Sequence, residues 1–383
     1  MAVLLLPFFQ MRFPFVPRGK LHGVQAYVDF PALSMATWLN GKFQQQLNDW
    51  FEQNMGFRNY LVRIENQINF SLFNYLSTKS MHKIVLGENG YLFEKSDIDY
   101  WNGSELSDEK VEEIRVLVEK IKMLQTKLKE RDITFFVLFS PSKAMIYPEF
   151  ISQKYIHPLK PHRKTQFDII RPMLKDAQVN YFDSIEYFRE QKKTSRYPFY
   201  PLGGGHWNYY GACVINQELI RYIEKLSNKT LNKLTCEPVT TDLTAFGSDA
   251  DLIRLLNIID EDAFTGPIPY PTINSHPINN AHKPNILIVG TSFVWTLLST
   301  MDDQNIYNSR EFFYYFATRY NYSEMTAQAI DTKRLDWTAV FGHDVIILEV
   351  PPLETKSVGY TFIEKALEAL EEETANLSKG TFQ

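Results

Sequence analysis

The sequence predicts an α/β fold with a mostly parallel sheet flanked by helices, and three observations carry that prediction. Four short runs are apolar or nearly so along their length: Ile133–Phe139, Val179–Asp183, Ile286–Gly290 and Asp344–Val350. Strands covered on both faces read this way, whereas half-exposed strands alternate apolar and polar positions. Helical stretches around 163–178, 208–226, 292–300 and 359–378 separate or follow these runs. Such alternation is what crossover helices between parallel strands produce.

The first twenty residues open with Val3-Leu-Leu-Leu-Pro-Phe-Phe9 and close on Arg18-Gly-Lys20. Seven apolar residues cannot span a bilayer, which takes about 20, and no basic start precedes them as in a signal peptide. Residues 1–20 are therefore expected to be either the tail of a membrane anchor whose beginning is missing or an interfacial segment. From Trp38 to about Leu76, apolar residues such as Phe43, Leu47, Trp50, Phe51, Leu61, Ile64 and Ile68 recur at steps of three and four, which predicts amphipathic helices within a segment 21–82. The remainder, 83–383, reads as the α/β domain.

Within that domain, Glu88-Asn-Gly90 separates two apolar runs, and Asn-Gly favours the positive φ angles of a tight hairpin turn. Ser107, followed by Asp108 and Glu109, starts a helix with core face Val111, Ile114, Val118, Ile121, Met123 or Leu124, and Leu128. Between about 227 and 283 the pattern fades into polar, Pro-containing text. This is expected to be an irregular insertion holding at most a small helix around Asp249–Ile259, of the kind that forms lids and binding surfaces.

Composition narrows the function classes. With 40 basic and 45 acidic residues and no basic cluster, the chain lacks the footprint of a nucleic-acid binder. Its aromatic share of 14% permits sugar stacking, although core packing accounts for most such residues. Cys213 and Cys236 have no metal-ligand spacing, so no zinc or other metal site is expected. One disulfide is open to them, but the helix-like surroundings of Cys213 favour a buried free thiol.

Ligands of open parallel sheets bind beyond the carboxyl ends of the strands. Here the exits are Ser140-Pro-Ser-Lys143, Asp183-Ser184, Gly290-Thr-Ser-Phe293 and Glu349. Gly290 allows a sharp turn after which Ser292 lands at a helix amino terminus, where free N–H groups can stabilise an oxyanion; a hydroxyl there also serves as a plain helix cap. In Gly203-Gly-Gly-His-Trp-Asn208 three glycines let the backbone before His206 approach another surface closely, and the helix starting near Asn208 fixes the imidazole at its mouth. Trp207 offers an apolar wall or a sugar platform.

The HWN…GA helix start paired with a downstream G-x-S-F strand exit resembles the SGNH-hydrolase-like domain of the bacterial alginate O-acetyltransferases, the AlgJ and AlgX group. The NGKFQ…DWFEQNMGFRN segment, the GENGYLF hairpin, the SPSKAMIYPE exit and the late strand ending in Glu349 agree with it, over roughly residues 10–355. The resemblance implies a circularly permuted SGNH-like fold in which Ser292 takes an acetyl group and passes it to a hydroxyl of an exported or cell-surface polysaccharide, with His206 as base. It implies no cofactor, an acetyl donor that is a membrane-bound partner protein, and an extracytoplasmic location, periplasmic or at the cell surface, with an anchor at the N-terminus. Lys143, Tyr147, Trp207 and Asn208 match the family's pattern and are the substrate-binding candidates; Gly290, Thr291, Gly204 and Gly205 are expected to shape the site and its oxyanion pocket.

One departure bears on mechanism. The family has Asp two residues before the histidine, where this chain has Gly204, and Thr291 stands where SGNH proteins usually have Asp. Three arrangements follow. Another acid reaches His206, Asp183 being the first candidate because it ends a neighbouring strand; or a backbone carbonyl orients the ring of a Ser–His dyad; or catalysis is lost and the pocket binds glycan or a partner as an assembly subunit. A carbohydrate esterase with the same Ser–His pair is the other enzyme reading.

Overall fold

Apolar strand interiors drive the central sheet, whose seven strands run in the spatial order Thr326–Ala329, Thr318–Asn321, Ser309–Tyr314, Asn285–Gly290, Val345–Val350, Thr134–Phe139, Tyr181–Asp183. The structure is a computed structural model that describes all residues except 1, 24–27, 77–82, 158–163, 246, 302–304, 323 and 381–383; for 2–4 and 376–380 it describes only the helical backbone. The end of the expected segment 21–82 and the first residue of the stretch 163–178 thus lie outside the described residues. The last five strands of that order pair in parallel, and Thr318–Asn321 and Thr326–Ala329 add an antiparallel edge.

The four apolar runs of the sequence are adjacent members of this sheet. Val345–Val350 is buried at every position, and Asn285–Gly290 and Thr134–Phe139 at all but their first. Helices cover them from both sides. Ser107 caps Asp108–Lys129 by accepting a hydrogen bond from the Lys110 N–H, and Ile114, Val118, Ile121, Leu124 and Leu128 point inward. Each such buried side chain contributes about 1.5–3 kcal/mol of transfer free energy. Met123 faces solvent, so Leu124 carries the core position. Helices Gln166–Asp176 and Phe362–Gly380 pack beside Asp108–Lys129, while Tyr209–Ser227 packs on Phe293–Thr300.

The hairpin forms as its sequence predicts, Ile84–Leu86 pairing with Leu92–Glu94 across a turn in which Asn89 and Gly90 have φ of 54° and 78°. Helices Lys42–Asn54 and Arg58–Phe73 form as well, yet Leu61, Ile64 and Ile68 on the second are exposed.

Two expectations need correction. Cys213 and Cys236 are joined in a disulfide; the helix that buries Cys213 turns it toward the first strand of the insertion, leaving 6.0 Å between the two Cα atoms, a separation a disulfide spans. The insertion is also more ordered than its polar text suggested. Lys233–Thr235 pairs with Asn274–His276 and Val239–Asp242 with Ile268–Pro271, and a helix spans Asp251–Leu256. Strands of three or four residues are too short to leave a periodic trace.

Candidate active site

Three side chains from three separate segments meet at the carboxyl end of strand Asn285–Gly290. His206 Nε2 lies 2.7 Å from Ser292 Oγ, and His206 Nδ1 lies 2.5 Å from Asp251 Oδ2. With the imidazole proton on Nδ1, the ring donates to Asp251 and leaves Nε2 free to accept from the Ser292 hydroxyl. The second carboxylate oxygen, Oδ1, accepts the Gly205 N–H at 2.7 Å, which fixes the carboxylate plane. Ser292 occupies the N-cap position of Phe293–Thr300 but makes no capping bond with its side chain. Its hydroxyl is given to His206 instead, and the helix turns its positive end toward the Ser292 oxygen.

Burial disfavours charge on His206, yet the Asp251 carboxylate, by charge and by hydrogen bond, raises the imidazole pKa above its ordinary 6.5; Glu94 and Asp97 add to this from further away. Burial also works against ionised Asp251, but His206 and the Gly205 N–H outweigh it and hold the carboxyl below its usual value. The acid therefore stays ionised at neutral pH, an arrangement that stabilises positive charge on His206.

Asp251 is the member that the sequence reading missed, and the glycines explain its place. A Cβ on Gly204 would lie 2.5 Å from the Ser248 carbonyl oxygen and 2.9 Å from that of Asp249. The position two before the histidine is thus pressed against the start of the 251–256 helix and has no room for a side chain. Asp251 reaches the imidazole across that contact. Ser248 further ties the insertion to the serine-bearing helix through Thr296, 3.0 Å between hydroxyl oxygens. Three consecutive glycines before a histidine were the available signal, since they mark a surface pressed closely on another segment.

Asp183 does not serve the imidazole. It caps the following helix through the Glu186 N–H at 3.0 Å and pairs with Arg171 at 2.9 Å, at the far edge of the sheet. Its strand is separated from the serine's by Thr134–Phe139 and Val345–Val350, so ending a neighbouring run in the sequence did not place it near the site.

The remaining residues are scaffolding. Thr291 gives its N–H to Glu349 Oε2 at 2.6 Å and its hydroxyl to Oε1 at 3.3 Å, and Ser140 donates to Glu349 as well. Burial pushes the Glu349 carboxyl up to about 7. Gly290 lies so close that a Cβ would meet Glu349 Oε2 at 2.5 Å, so the turn before Ser292 is packed on this carboxyl.

Trp207 is fully buried and donates its indole N–H to the Phe293 carbonyl at 3.1 Å, tying the histidine segment to the serine segment; it is no sugar platform. Asn208 caps Tyr209–Ser227 through the Gly211 N–H at 2.8 Å. The buried Tyr147 hydroxyl accepts the Phe199 N–H at 3.0 Å. Lys143 is buried, donates to the carbonyls of Pro201 and Leu202 at 2.9 and 2.8 Å, and is lowered by burial to about 7. These four hold the loop and helix that carry His206 and present no surface to a substrate. Among the described residues no group of His, Cys, Asp or Glu has the arrangement of a metal site.

A serine, histidine and aspartate hydrogen-bonded in series, beyond the carboxyl ends of a mostly parallel sheet, define a Ser-His-Asp α/β protein of the hydrolase type. Residues 84–304 match the family described as SGNH hydrolase-like domain, acetyltransferase AlgX, and the chain belongs to it. Similar solved structures include the O-acetyltransferase domain of Pseudomonas putida AlgJ, 15% identical with a TM-score of 0.48 over 72% of this chain and 92% of that one. Pseudomonas aeruginosa AlgX is 13% identical with a TM-score of 0.44, over 74% of this chain and 66% of its own. Bacillus cereus PatB1, solved with a sulfonyl adduct, is 13% identical with a TM-score of 0.42, over 72% and 96%. No curated protein matches the sequence.

Proposed function

We propose that the protein is an O-acetyltransferase acting on an exported or cell-surface polysaccharide through an acetyl-Ser292 intermediate. The observation that carries this reading is the unbroken relay Ser292–His206–Asp251. His206 takes the Ser292 proton as Oγ attacks the acetyl carbonyl of the donor, and the departing donor oxygen or sulfur takes that proton from the imidazolium. In the second half the imidazole removes a proton from a sugar hydroxyl, whose oxygen attacks the acetyl carbon. Ser292 then leaves and recovers its proton. The acid at position 251 supports an active site over the reading of an inactive binding subunit, which rested on the glycine at position 204. Water in place of the sugar would make the same site an esterase, and the acceptor dependence below decides between them.

Two further features support a location outside the cytoplasm. The Cys213–Cys236 disulfide suits an oxidising compartment. Leu5, Leu6, Phe8, Phe9, Phe13 and Phe15 are exposed beside Arg12, Arg18 and Lys20, a combination suited to lying on an anionic membrane surface. No helix among the described residues is long and apolar enough to cross a membrane. A membrane-bound acetyl-donor protein is the partner this arrangement would meet.

The test is a chromogenic acetyl ester given with and without oligosaccharide acceptors, with mass spectrometry of the Ser292 peptide. Acetyl-Ser292 and acceptor-dependent transfer are expected, both lost in Ser292→Ala. Acetate release that persists in Ser292→Ala refutes the nucleophile; release that no acceptor diverts makes the protein an esterase.

A further inference from the structure

We propose that the cavity between the helix Ala2–Arg12 and the turn 54–60 binds an anionic phospholipid, its headgroup on Arg12, Arg18 and Arg58 and an acyl chain on the apolar wall, so that this face docks on a bilayer. This deepens the reading of a membrane-facing N-terminus and rests on it, and it is independent of the triad.

The cavity has a volume of about 590 Å³. Helix Ala2–Arg12 presses so closely on the turn between helices Lys42–Asn54 and Arg58–Phe73 that a Cβ on Gly56 would run into the Pro7 carbonyl oxygen. The residues that follow are held in place by the buried Gln10, whose amide donates to the Val16 carbonyl at 2.5 Å and accepts the N–H groups of Phe15 and Val16 at 3.1 Å. Phe8, Met11, Val16, Trp50, Met55 and Phe57 supply the apolar wall. Three arginines line the same cavity and no acidic residue does. Their contacts are to neutral groups: Arg18 donates to the Gln53 carbonyl, Arg58 to Asn59 Oδ1 at 3.3 Å, and the Arg12 guanidinium lies 5.0 Å from the centre of the Phe13 ring. Arg12 and Arg18 are exposed, which sets positive charge at the mouth. A guanidinium fork meets phosphate oxygens two at a time, and an apolar cavity with a basic mouth complements an anionic head joined to a hydrocarbon tail.

The surroundings point to a bilayer as the source. Of the 25 exposed large apolar side chains among the described residues, 18 lie between Leu5 and Tyr75, and Phe8 and Tyr60 at the cavity are two of them. A surface helix ordinarily turns its apolar stripe to the core and its polar side to water. Helix Arg58–Phe73 does the reverse. Leu61, Ile64, Ile68 and Leu72, at steps of three and four, form an exposed stripe, while Arg63, Asn66 and Gln67 face inward and bond the backbone of residues 256–260. An apolar medium on the outside satisfies that arrangement, and a contiguous apolar surface of this kind marks an interaction site. Residues 1–28 hold Arg12, Arg18 and Lys20 and no acidic residue, so the charge is complementary to anionic lipid.

The full chain should co-sediment with vesicles of equal parts phosphatidylcholine and phosphatidylglycerol, far less with phosphatidylcholine alone, and less as salt is raised. Each basic side chain near an anionic surface contributes about fivefold to partitioning, so Arg12→Gln, Arg18→Gln and Arg58→Gln together should weaken binding about 10²-fold with the thermal midpoint little changed. Because Trp50 lines the cavity, phosphatidylglycerol brominated on an acyl chain should quench a component of fluorescence that Trp50→Phe lacks. Equal binding to both kinds of vesicle, or an unweakened triple variant, overturns the lipid site and leaves the membrane-facing N-terminus standing. Binding to neither overturns both and leaves a protein as the occupant. Quenching that Trp50→Phe does not reduce sets the lipid outside the cavity and overturns the site. A dimer in sedimentation velocity without lipid, lost in Ile64→Gln with Ile68→Gln, makes the face an interface between copies and overturns the proposal too.

Discussion

Replacing Asp251 by Asn is the sharpest test of the relay, because the structure fixes which way the new amide must turn. Oδ1 of Asp251 accepts the Gly205 N–H at 2.7 Å and Oδ2 faces His206 Nδ1 at 2.5 Å. In Asp251→Asn the amide oxygen stays with the Gly205 donor, since the alternative sets two donors against each other. The NH₂ group then points at Nδ1, which must become an acceptor, so the imidazole proton moves to Nε2 and faces Ser292. A ring in that tautomer cannot take the serine proton. The same exchange in a serine-protease triad lowers turnover about 10⁴-fold, equivalent to about 5.4 kcal/mol at 1.36 kcal/mol per decade. Steady-state hydrolysis of a chromogenic acetyl ester should show this fall in kcat with KM little changed. Asp183→Asn, in parallel, should leave kcat alone and change stability by less than about 1 kcal/mol, because the amide oxygen still caps the helix through the Glu186 N–H and only the ion pair with the part-exposed Arg171 is lost. An Asp251→Asn enzyme within tenfold of wild type, or a larger loss in Asp183→Asn, would refute the assignment.

The pH profile follows from the same pair. His206 must be neutral to act, and Asp251 raises its pKa, so kcat/KM should rise with pH through a midpoint above 6.5 and level off beyond it. In Asp251→Asn the raising charge is gone and burial remains, so the residual activity should titrate at lower pH; an unmoved midpoint would separate the titration from His206. Gly204→Asp restores the acid where the family carries it, but the added Cβ collides with the carbonyls of Ser248 and Asp249. It should cost about 1–3 kcal/mol of stability, read by thermal melting, and should not rescue Asp251→Asn; rescue would show that the 248–251 turn yields. Reducing Cys213–Cys236, which closes a loop with a sequence separation of 23, should lower stability by about 3 kcal/mol, measured by denaturant titration with and without reductant.

What could be read from the sequence tracks how local each cause is. Strands Thr134–Phe139, Asn285–Gly290 and Val345–Val350 are buried on both faces, and that demand is written into every residue. The outer strands Thr318–Asn321 and Thr326–Ala329 are partly or fully exposed and left no apolar trace. His206 and Ser292 were legible because each sits at a helix start with an unusual glycine environment. Asp251 was not, since nothing near it in the chain reports that Ser248 and Asp249 just before it pack on Gly204. The disulfide was missed for a like reason: a helical setting says that Cys213 is buried but not what it faces.

The displaced acid also recasts the N-terminal helices. Asp251 begins a helix of only six residues, too short to be stable in isolation, so its position depends on what it packs against. Leu252, Ile253 and Leu256 form a satellite core with Ile84 and Leu92 of the hairpin and with Phe264, onto which Phe70 packs at 4.9 Å. Helix Arg58–Phe73 then binds the segment's outgoing backbone: Asn66 donates to the Leu256 carbonyl at 2.8 Å, Arg63 to that of Ile258 at 2.6 Å, and Gln67 accepts the N–H groups of Ile259 and Asp260. A triad whose acid lay at position 204 would need none of this. Loosening the anchor with Arg63→Ala and Asn66→Ala together should therefore lower kcat by letting Asp251 stray from the imidazole, and should do so only while Asp251 is there to be misplaced. In the Asp251→Asn background the same pair should cost little more, a non-additivity that a double-mutant cycle in kcat measures directly. Equal losses in both backgrounds would show that the helix supports the fold at large and not the acid.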